Sequence, residues 1–267
     1  MRPRLRTPVT FRGHPLPPAR WAELNASQQG IEGFYLPAHQ AARALLVGCG
    51  GIGSHVATAM VRKGLGALDG WDDDLVETKN LTRQLFSRYD ITQFKAVALA
   101  RQLARDALFP TEIRALPLRF QEIVAGDFAL PRYSLIICGV DNNPTRRAVT
   151  VFALRRRIPV IYAAVSHDGN SLYVMVQEAK PGAACWGCAF PNYVNDDAYP
   201  CNLPGIIDVL QVVSGLIVYA VDTVLCGRPR DWNVRHVYLD GAIPERTRSL
   251  ARRPGCALCT GHNIWAA

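Results

Sequence analysis

A glycine-rich turn between an apolar run and a helical run constrains the fold of this chain most. Positions 44–47 are apolar, Gly-Cys-Gly-Gly-Ile-Gly fills positions 48–53, and a helical pattern follows over 54–63. In such a unit the first glycine makes the tight turn, the second lets backbone approach a phosphate, and the third lets helix and strand pack closely. The helix N-terminus adds free N–H groups that can bind an anion. The unit predicts a nucleotide site, although a glycine-rich turn without a ligand would give the same pattern.

Strand and helix patterns alternate along the rest of the chain. Strand patterns cover 67–71, 113–118, 133–138, 159–165, 171–177 and 234–239, and helix patterns cover 94–108, 145–156 and 206–225. Alternation of this kind predicts an α/β fold of the Rossmann-like, doubly wound type with a mostly parallel sheet. Residues 1–42 contain six prolines and predict an irregular N-terminal arm with a short helix near 21–29. We therefore place the main domain at 43–267.

Composition narrows the class of protein. Hydrophobic residues make up 49% of the 267 positions and charged residues 19%, which is a globular balance. The net charge of +8 could attract nucleic acid or an acidic protein, but no nucleic-acid-binding motif accompanies it, so we do not expect a nucleic-acid partner. No signal-peptide pattern opens the sequence, and the apolar run 206–225 contains Asp208, Gln211 and Asp222. A buried or interface helix, no membrane partner and a cytoplasmic location are expected.

Polar residues follow the second predicted strand. Asp72 lies about 20 residues beyond the glycine turn, where a carboxylate can bind ribose hydroxyls. Asn80, Arg83 and Gln84 come next, and Lys95 opens the following helix. An arginine fork and a lysine together could neutralise a triphosphate, which carries more charge than a hydride-transfer site must hold. The alternative is a solvated loop held by an Arg–Asp pair.

Asp141 follows the strand predicted over 133–138, at the same edge of the sheet. Mg²⁺ in proteins binds one or two carboxylates together with substrate phosphates, so Asp141 is a candidate magnesium ligand. Because Asn142, Asn143 and Pro144 follow it, Asp141 could instead cap the helix that starts near position 145.

Two Cys-x-x-Cys pairs predict a metal site. Four thiolates suit tetrahedral Zn²⁺ and leave no open position, which is typical of a structural site. Such a zinc ion would pin a C-terminal extension to the body of the domain, and reduced thiols without metal are the alternative. The four candidate ligands are Cys185, Cys188, Cys256 and Cys259.

The motifs in their order resemble the ThiF/MoeB family of adenylating enzymes, which are related to the ubiquitin-activating enzymes. The matching segments are GCGGIG, DDDLVETKNLTRQ, Lys95, CGVDNNPTR, CWGC and PGCALC, spread over residues 43–262. The short length and the N-terminal arm are similar to the ThiF-like proteins of the plasmid-borne PRTRC system. The resemblance implies a homodimer that uses ATP and Mg²⁺ to adenylate the C-terminal carboxylate of a ubiquitin-fold partner ending in Gly-Gly.

The resemblance also implies roles for individual residues. It assigns the nucleotide loop to Gly48, Gly50, Gly51 and Gly53, the ribose to Asp72, the phosphates to Asn80, Arg83, Gln84 and Lys95, and Mg²⁺ to Asp141 with Asn142 beside it. Arg146 matches an arginine of the family motif. The chemistry is expected to depend on Asp141, Arg83, Lys95 and Cys201.

Two features leave alternatives open. In the family, a cysteine in the loop that contains Cys201 can form a thioester or persulfide with the activated partner, whereas other relatives need no nucleophile. The family's N-terminal Arg-Tyr-x-Arg-Gln motif is absent from residues 1–42, which is also compatible with an ATP-binding protein of weak activity. An NAD(P)-dependent dehydrogenase fits the glycine turn but leaves the polar run from Asn80 to Gln84 and the cysteine pairs unexplained.

Overall fold

A nine-stranded mixed sheet forms the centre of the computed structural model, which describes residues 7–193 and 205–260. The strands are β1 (Val9–Arg12), β2 (Arg43–Val47), β3 (Ala67–Trp71), β4 (Glu112–Leu116), β5 (Leu135–Cys138), β6 (Val160–Val165), β7 (Ser171–Gln177), β8 (Val234–Tyr238) and β9 (Arg246–Arg248). Their order across the sheet is β1-β4-β3-β2-β5-β6-β7-β8-β9.

The five central strands, β4, β3, β2, β5 and β6, are parallel, and antiparallel strands extend both edges. The predicted Rossmann-like, mostly parallel α/β class is therefore confirmed. Strand β1 lies within the arm that we expected to be irregular; it pairs with β4, with Thr10 opposite Arg114. Only alternate residues of β1 are partly covered, so its four residues carry too weak a pattern to be predicted among the neighbouring prolines.

Helices cover both faces of the sheet. They are α1 (Trp21–Asn25), α2 (Leu36–Ala41), α3 (Gly51–Arg62), α4 (Lys95–Asp106), α5 (Phe120–Ala125), α6 (Asn143–Arg156), α7 (Trp186–Ala189) and α8 (Ile207–Leu225). Helices α3, α4 and α8 share one hydrophobic core with the sheet. Helices α5, α6 and α7 share a second core on the opposite face, so the sheet is enclosed in the manner of doubly wound folds.

Helix α8 is the longest helix in the described part of the chain. It passes a length-and-hydropathy test for a membrane span, as core helices of soluble proteins also do. Val213, Ile217 and Val221 on this helix are fully buried, and α8 packs against α3, β6 and β7. These contacts support the interpretation of α8 as a packed helix.

Asp222 ties α8 to the arm and to α3. Its carboxylate is 1% exposed and accepts hydrogen bonds from His39 Nε2 at 3.0 Å and from Lys63 Nζ at 2.6 Å. Arg228 Nη1 lies 3.3 Å from the second oxygen. Burial alone would raise the pKa of Asp222, but the hydrogen bonds from His39 and Lys63 outweigh burial and lower it. The acid therefore stays charged inside a largely apolar helix.

Candidate functional site

The candidate site lies where the loops after β2 and β5 meet. Strands β2 and β5 are neighbours in the sheet. Strands β3 and β4, which follow β2 along the chain, lie on one side of this pair, and β6, which follows β5, lies on the other side. Ligands of open α/β sheets bind at such a switch point, beyond the carboxyl ends of the strands. Gly48 has a φ of +91°, and a Cβ there would lie 3.1 Å from Val140 Cγ1 and 3.2 Å from the Gly139 carbonyl carbon. Only glycine fits where the two loops touch.

The glycine loop has the shape that its sequence predicts. A Cβ at Gly53 would lie 2.0 Å from the Gly48 carbonyl oxygen, so this glycine is required for close packing between helix and strand. Gly50 precedes the first turn of α3, and the nearest atom to a Cβ there would be Gln84 Nε2 at 3.6 Å. Gly51 faces Leu210 of α8, 3.0 Å from such a Cβ. The backbone at Gly50 is thus the part of the loop with room for a ligand.

Asp72 lies directly after β3 and braces the glycine loop. Its Oδ2 accepts a hydrogen bond from the Cys49 backbone N–H at 2.6 Å, and its Oδ1 accepts one from the Asp74 N–H at 2.8 Å. Burial raises the pKa of Asp72 to about 6, although the charge of Lys95 opposes the shift. A carboxylate has about four lone-pair sites, so Asp72 retains acceptor capacity for ribose hydroxyls.

Lys95 places a positive charge beside Asp72. Its side chain is 10% exposed, and Nζ donates to Asp74 Oδ2 at 2.8 Å. Burial alone would lower the pKa of Lys95, but the interactions with Asp72 and Asp74 outweigh burial and raise it. Asp74 is exposed and was not predicted as a site residue, although the Asp72-Asp73-Asp74 run carried the signal. The lysine is held charged, and a polyanion could displace its exposed partner.

The loop that carries Asn80, Arg83 and Gln84 folds back toward the glycine loop. Asn80 is buried and its Oδ1 accepts from the Glu77 N–H at 2.9 Å, while its carbonyl accepts from the N–H groups of Arg83 and Gln84. Gln84 is 6% exposed, and its Oε1 has no hydrogen-bond partner among the described residues. Because buried polar atoms are almost always paired, this oxygen fits a site that is completed by a ligand with a hydrogen-bond donor, such as a hydroxyl group.

The helix cap that the sequence allowed for Asp141 is formed by Asn142, and magnesium binding by Asp141 stays a prediction. Asn142 caps α6, since its Oδ1 accepts from the Thr145 N–H at 3.0 Å, whereas Asp141 is exposed. Arg146 is buried, and its hydrogen bonds hold the loop between β5 and α6 in place. Its guanidinium donates to Asn143 Oδ1 at 2.8 Å and to the Val140 carbonyl at 2.7 Å. The cap leaves the Asp141 carboxylate at the open edge of the crevice.

The four paired cysteines meet in one buried cluster on the α5 and α6 side of the sheet. Their sulfur atoms all lie within 4.8 Å of one another, with three separations of 3.6 to 3.7 Å. Zn–S bonds of about 2.3 Å in a tetrahedron imply S–S edges of about 3.8 Å, so the cluster fits zinc. The backbone N–H of Arg253 donates to Cys188 Sγ at 3.3 Å. The hydrogen bond between Cys185 and Cys188 lowers the pKa of one thiol and raises the pKa of the other, so the four sulfur atoms form one coupled cluster.

Comparison with known proteins agrees with this arrangement. The profile of the ThiF family matches residues 33–257. The chain belongs to the ThiF family. This ThiF-family protein is 30% identical over 226 residues to the sulfur carrier protein adenylyltransferase of Thermus thermophilus, covering 82% of each chain. It is 27% identical to the sulfur carrier protein ThiS adenylyltransferase of Escherichia coli, covering 82% of this chain and 86% of that one.

A longer relative and a set of solved structures extend the comparison. The ATP-dependent ubiquitin transferase-like protein Cap2 of Escherichia coli is 27% identical over 81% of this chain, which spans only 40% of the length of Cap2. Among solved structures, Escherichia coli MccB with ATP has a TM-score of 0.67 at 20% identity, covering 84% of this chain and 68% of that one. A complex of MccB with AMPCPP and MccA gives a TM-score of 0.68 with the same coverage. At this identity the likeness establishes the fold.

One predicted site residue of this ThiF-family protein cannot be placed: Cys201 lies outside the described residues. The glycine loop, Asp72, Gln84 and Asp141 belong to the loops around the switch point, and Lys95 is the first residue of α4. Arg83 belongs to the same loop as Gln84, and its Nη1 would lie 3.7 Å from a Cβ at Gly205, just before α8. The N-terminal end of α8 therefore closes one side of the crevice.

Proposed function

We propose that this ThiF-family protein is an ATP- and Mg²⁺-dependent adenylyltransferase acting on a small ubiquitin-fold or sulfur-carrier protein with a Gly-Gly C-terminus. The observation that carries the proposal is the meeting of three features at one switch point. They are an open glycine backbone at Gly50, a buried cation at Lys95 and an exposed carboxylate at Asp141. A site of this kind suits a nucleoside triphosphate.

The residues have distinct tasks in this proposal. The α3 N-terminus and Gly50 bind phosphate oxygens, Arg83 and Lys95 neutralise the triphosphate, and Asp72 accepts hydrogen bonds from the ribose. Asp141 would hold Mg²⁺, which supplies charge neutralisation on the phosphates when bound. A carboxylate oxygen of the partner attacks the α-phosphorus, an acyl–phosphate bond forms, and the bond to pyrophosphate breaks. Catalysis then depends on positioning and on electrostatic stabilisation.

The relatives support the reaction type and the class of partner. Two are named as adenylyltransferases of sulfur carrier proteins. These names favour adenylyl transfer to a small carrier protein. Homodimerisation, a cytoplasmic location and membership of the PRTRC subgroup stay predictions, as does a thioester or persulfide at Cys201.

ATP–pyrophosphate exchange tests the proposal. We expect exchange that requires a Gly-Gly-ended carrier protein and is lost when the last glycine of the carrier is removed. Asp141→Ala should lower the exchange rate at least about a hundredfold. The matched control is Asp127→Ala, which removes an exposed carboxylate between α5 and β5 and should leave exchange unchanged.

A specific observation favours one alternative function. Because the family's N-terminal arginine motif is missing from residues 1–42, the chain could bind ATP without turning it over. ATP binding by calorimetry, combined with no exchange for any Gly-Gly-ended carrier, would favour this non-catalytic function. The family assignment disfavours the dehydrogenase alternative, which predicts NAD(P) binding instead.

A further inference from the structure

Two consecutive side chains on α3 hold the backbone on both sides of Gln84. His55 Nε2 lies 3.1 Å from the Arg83 carbonyl oxygen, and Ser54 Oγ accepts a hydrogen bond from the Leu85 N–H at 3.2 Å. Because a carbonyl only accepts, the imidazole Nε2 must carry the hydrogen. Both side chains are buried, with 8% of His55 and none of Ser54 exposed.

These two bonds couple the loop of residues 80–86 to the glycine loop. Helix α3 begins at the glycine loop, so a loop that is anchored to the second turn of α3 keeps its place relative to Gly50. Gln84, which lies between the two anchored peptide groups, is 6% exposed and has an unpartnered Oε1. Its Nε2 lies 3.6 Å from the position of a Cβ on Gly50. Its amide therefore lies directly beside the open part of the glycine loop.

We propose that His55, with Ser54, is a positioning residue that holds Arg83 and Gln84 in place for the nucleotide phosphates. The proposal rests on the ATP site described under the proposed function. His55 acts through the backbone of the loop, because its hydrogen bond is to the Arg83 carbonyl and its side chain is buried. Without the bond, the Arg83 carbonyl would lose the contact that ties it to α3, and the loop would gain alternative conformations that bind phosphate poorly.

The substitution pair His55→Ala and His55→Gln tests this role. His55→Ala removes the donor and should weaken ATP affinity about tenfold, as the loss of a supporting contact to a binding residue commonly does. The glutamine amide N–H can reach the same carbonyl, so His55→Gln should restore affinity to within about threefold of wild type. In the ligand-free protein, hydrogen–deuterium exchange of residues 80–86 should accelerate in His55→Ala and return toward wild type in His55→Gln.

Thr111→Val is the matched control for loss of a buried side-chain hydrogen bond. Thr111 is buried just before β4, and its Oγ1 donates to the Leu65 carbonyl at 2.8 Å. This variant should lose thermal stability. Its ATP affinity and the hydrogen–deuterium exchange of residues 80–86 should stay unchanged. Ser54→Ala, which removes the acceptor for Leu85, supplies a second test if His55→Ala does not fold.

The outcomes separate the two proposals. Weaker ATP binding and faster loop exchange in His55→Ala, both reversed in His55→Gln, support the positioning role. Unchanged loop exchange, or unchanged ATP affinity in the folded variant, overturns it. A wild-type protein that binds no ATP contradicts the proposed function, whereas the exchange data still decide whether His55 anchors the loop.

Discussion

Asp72 is a full negative charge only above about pH 6. Burial raises its pKa to about 6 from an ordinary value of 3.8, against the opposing charge of Lys95. Its carboxylate accepts hydrogen bonds from two backbone N–H groups, and these bonds hold it against the glycine loop. Nucleotide binding that uses this carboxylate as an acceptor should therefore depend on pH in a range where most carboxylates do not titrate.

We predict that ATP affinity falls as the pH drops through 6, because the protonated Asp72 loses acceptor capacity toward the ribose. Calorimetric titration between pH 5 and pH 8 measures this. In Asp72→Asn the affinity should be about tenfold lower at pH 8 and should change less with pH than in the wild type, with only the titration of the ATP phosphate remaining. The prediction fails if the wild type and Asp72→Asn share the same pH profile.

Motif spacing predicted the site residues whose role depends on the local chain. Gly48 and Gly53 lie in the tight turn and the close helix–strand contact expected of a strand–turn–helix unit. Asp72 lies directly after β3 and contacts the glycine loop, and the binding roles of all three stay predictions. The contacts of Asp74 with Lys95 and of His55 with the Arg83 carbonyl were not predicted. They depend on how separate segments pack, for which a single sequence contains no periodic signal.

At the scale of secondary-structure elements, two adjacent residues at the start of α6 are expected to differ in role, one supporting stability and the other supporting binding. Asn142 caps the helix, and Asp141 beside it is exposed. We predict that Asn142→Ala lowers the free energy of unfolding by about 1 kcal/mol, the usual value of an N-cap, while Asp141→Ala leaves stability nearly unchanged. Urea denaturation measures both. Equal losses of stability would show that Asp141 also supports the helix.

Most buried strands and the long helices were predictable, whereas several short elements were not. Strands β2, β5 and β6 are largely apolar runs, as expected of parallel strands covered on both faces, and β3 is interrupted by the buried Asp69. Strand β1, helix α5 and strand β9 are short, and all three residues of β9 are exposed, so their sequences show little periodicity. The edge strands β1 and β9 form by pairing with β4 and β8. Such contacts between distant segments leave no signal in the local sequence.

At the scale of the whole molecule, Asp222 joins the arm, α3 and α8 in one ion cluster. Removing its charge would leave Lys63 and Arg228, which are 21% and 28% exposed, without their buried partner. We predict that Asp222→Asn lowers the free energy of unfolding by about 2–4 kcal/mol at pH 7, somewhat reduced by solvent screening. Chemical denaturation measures this, with Asp106→Asn, which breaks an exposed pair with Arg105, as the control.

The pH dependence of this cluster follows from the lowered pKa of Asp222. A carboxylate with a lowered folded-state pKa stabilises the fold above its unfolded pKa of about 3.9, and that stabilisation is lost as the pH falls through the folded pKa. The stability difference between wild type and Asp222→Asn should therefore shrink below about pH 4. A difference that stays constant down to pH 3 would contradict the role of the charge.

The cysteine cluster connects the C-terminal segment to α7. We predict one zinc ion per chain by elemental analysis, and we expect Cys256→Ser to lose the metal and lower Tm by about 10 °C. Cys226→Ser is the control, because Cys226 lies outside the cluster and its variant should retain zinc. A purified protein without metal, whose Cys256→Ser variant melts like Cys226→Ser, would contradict a structural zinc site.

The central claim is that the crevice between the loops after β2 and β5 binds a nucleoside triphosphate. A crystal structure with a non-hydrolysable ATP analogue and Mg²⁺ tests it most directly. We predict phosphate oxygens within hydrogen-bond distance of the Gly50 backbone, Arg83 and Lys95, with the ribose at Asp72. A crevice without the nucleotide, or one that binds a nicotinamide dinucleotide in its place, would contradict the account.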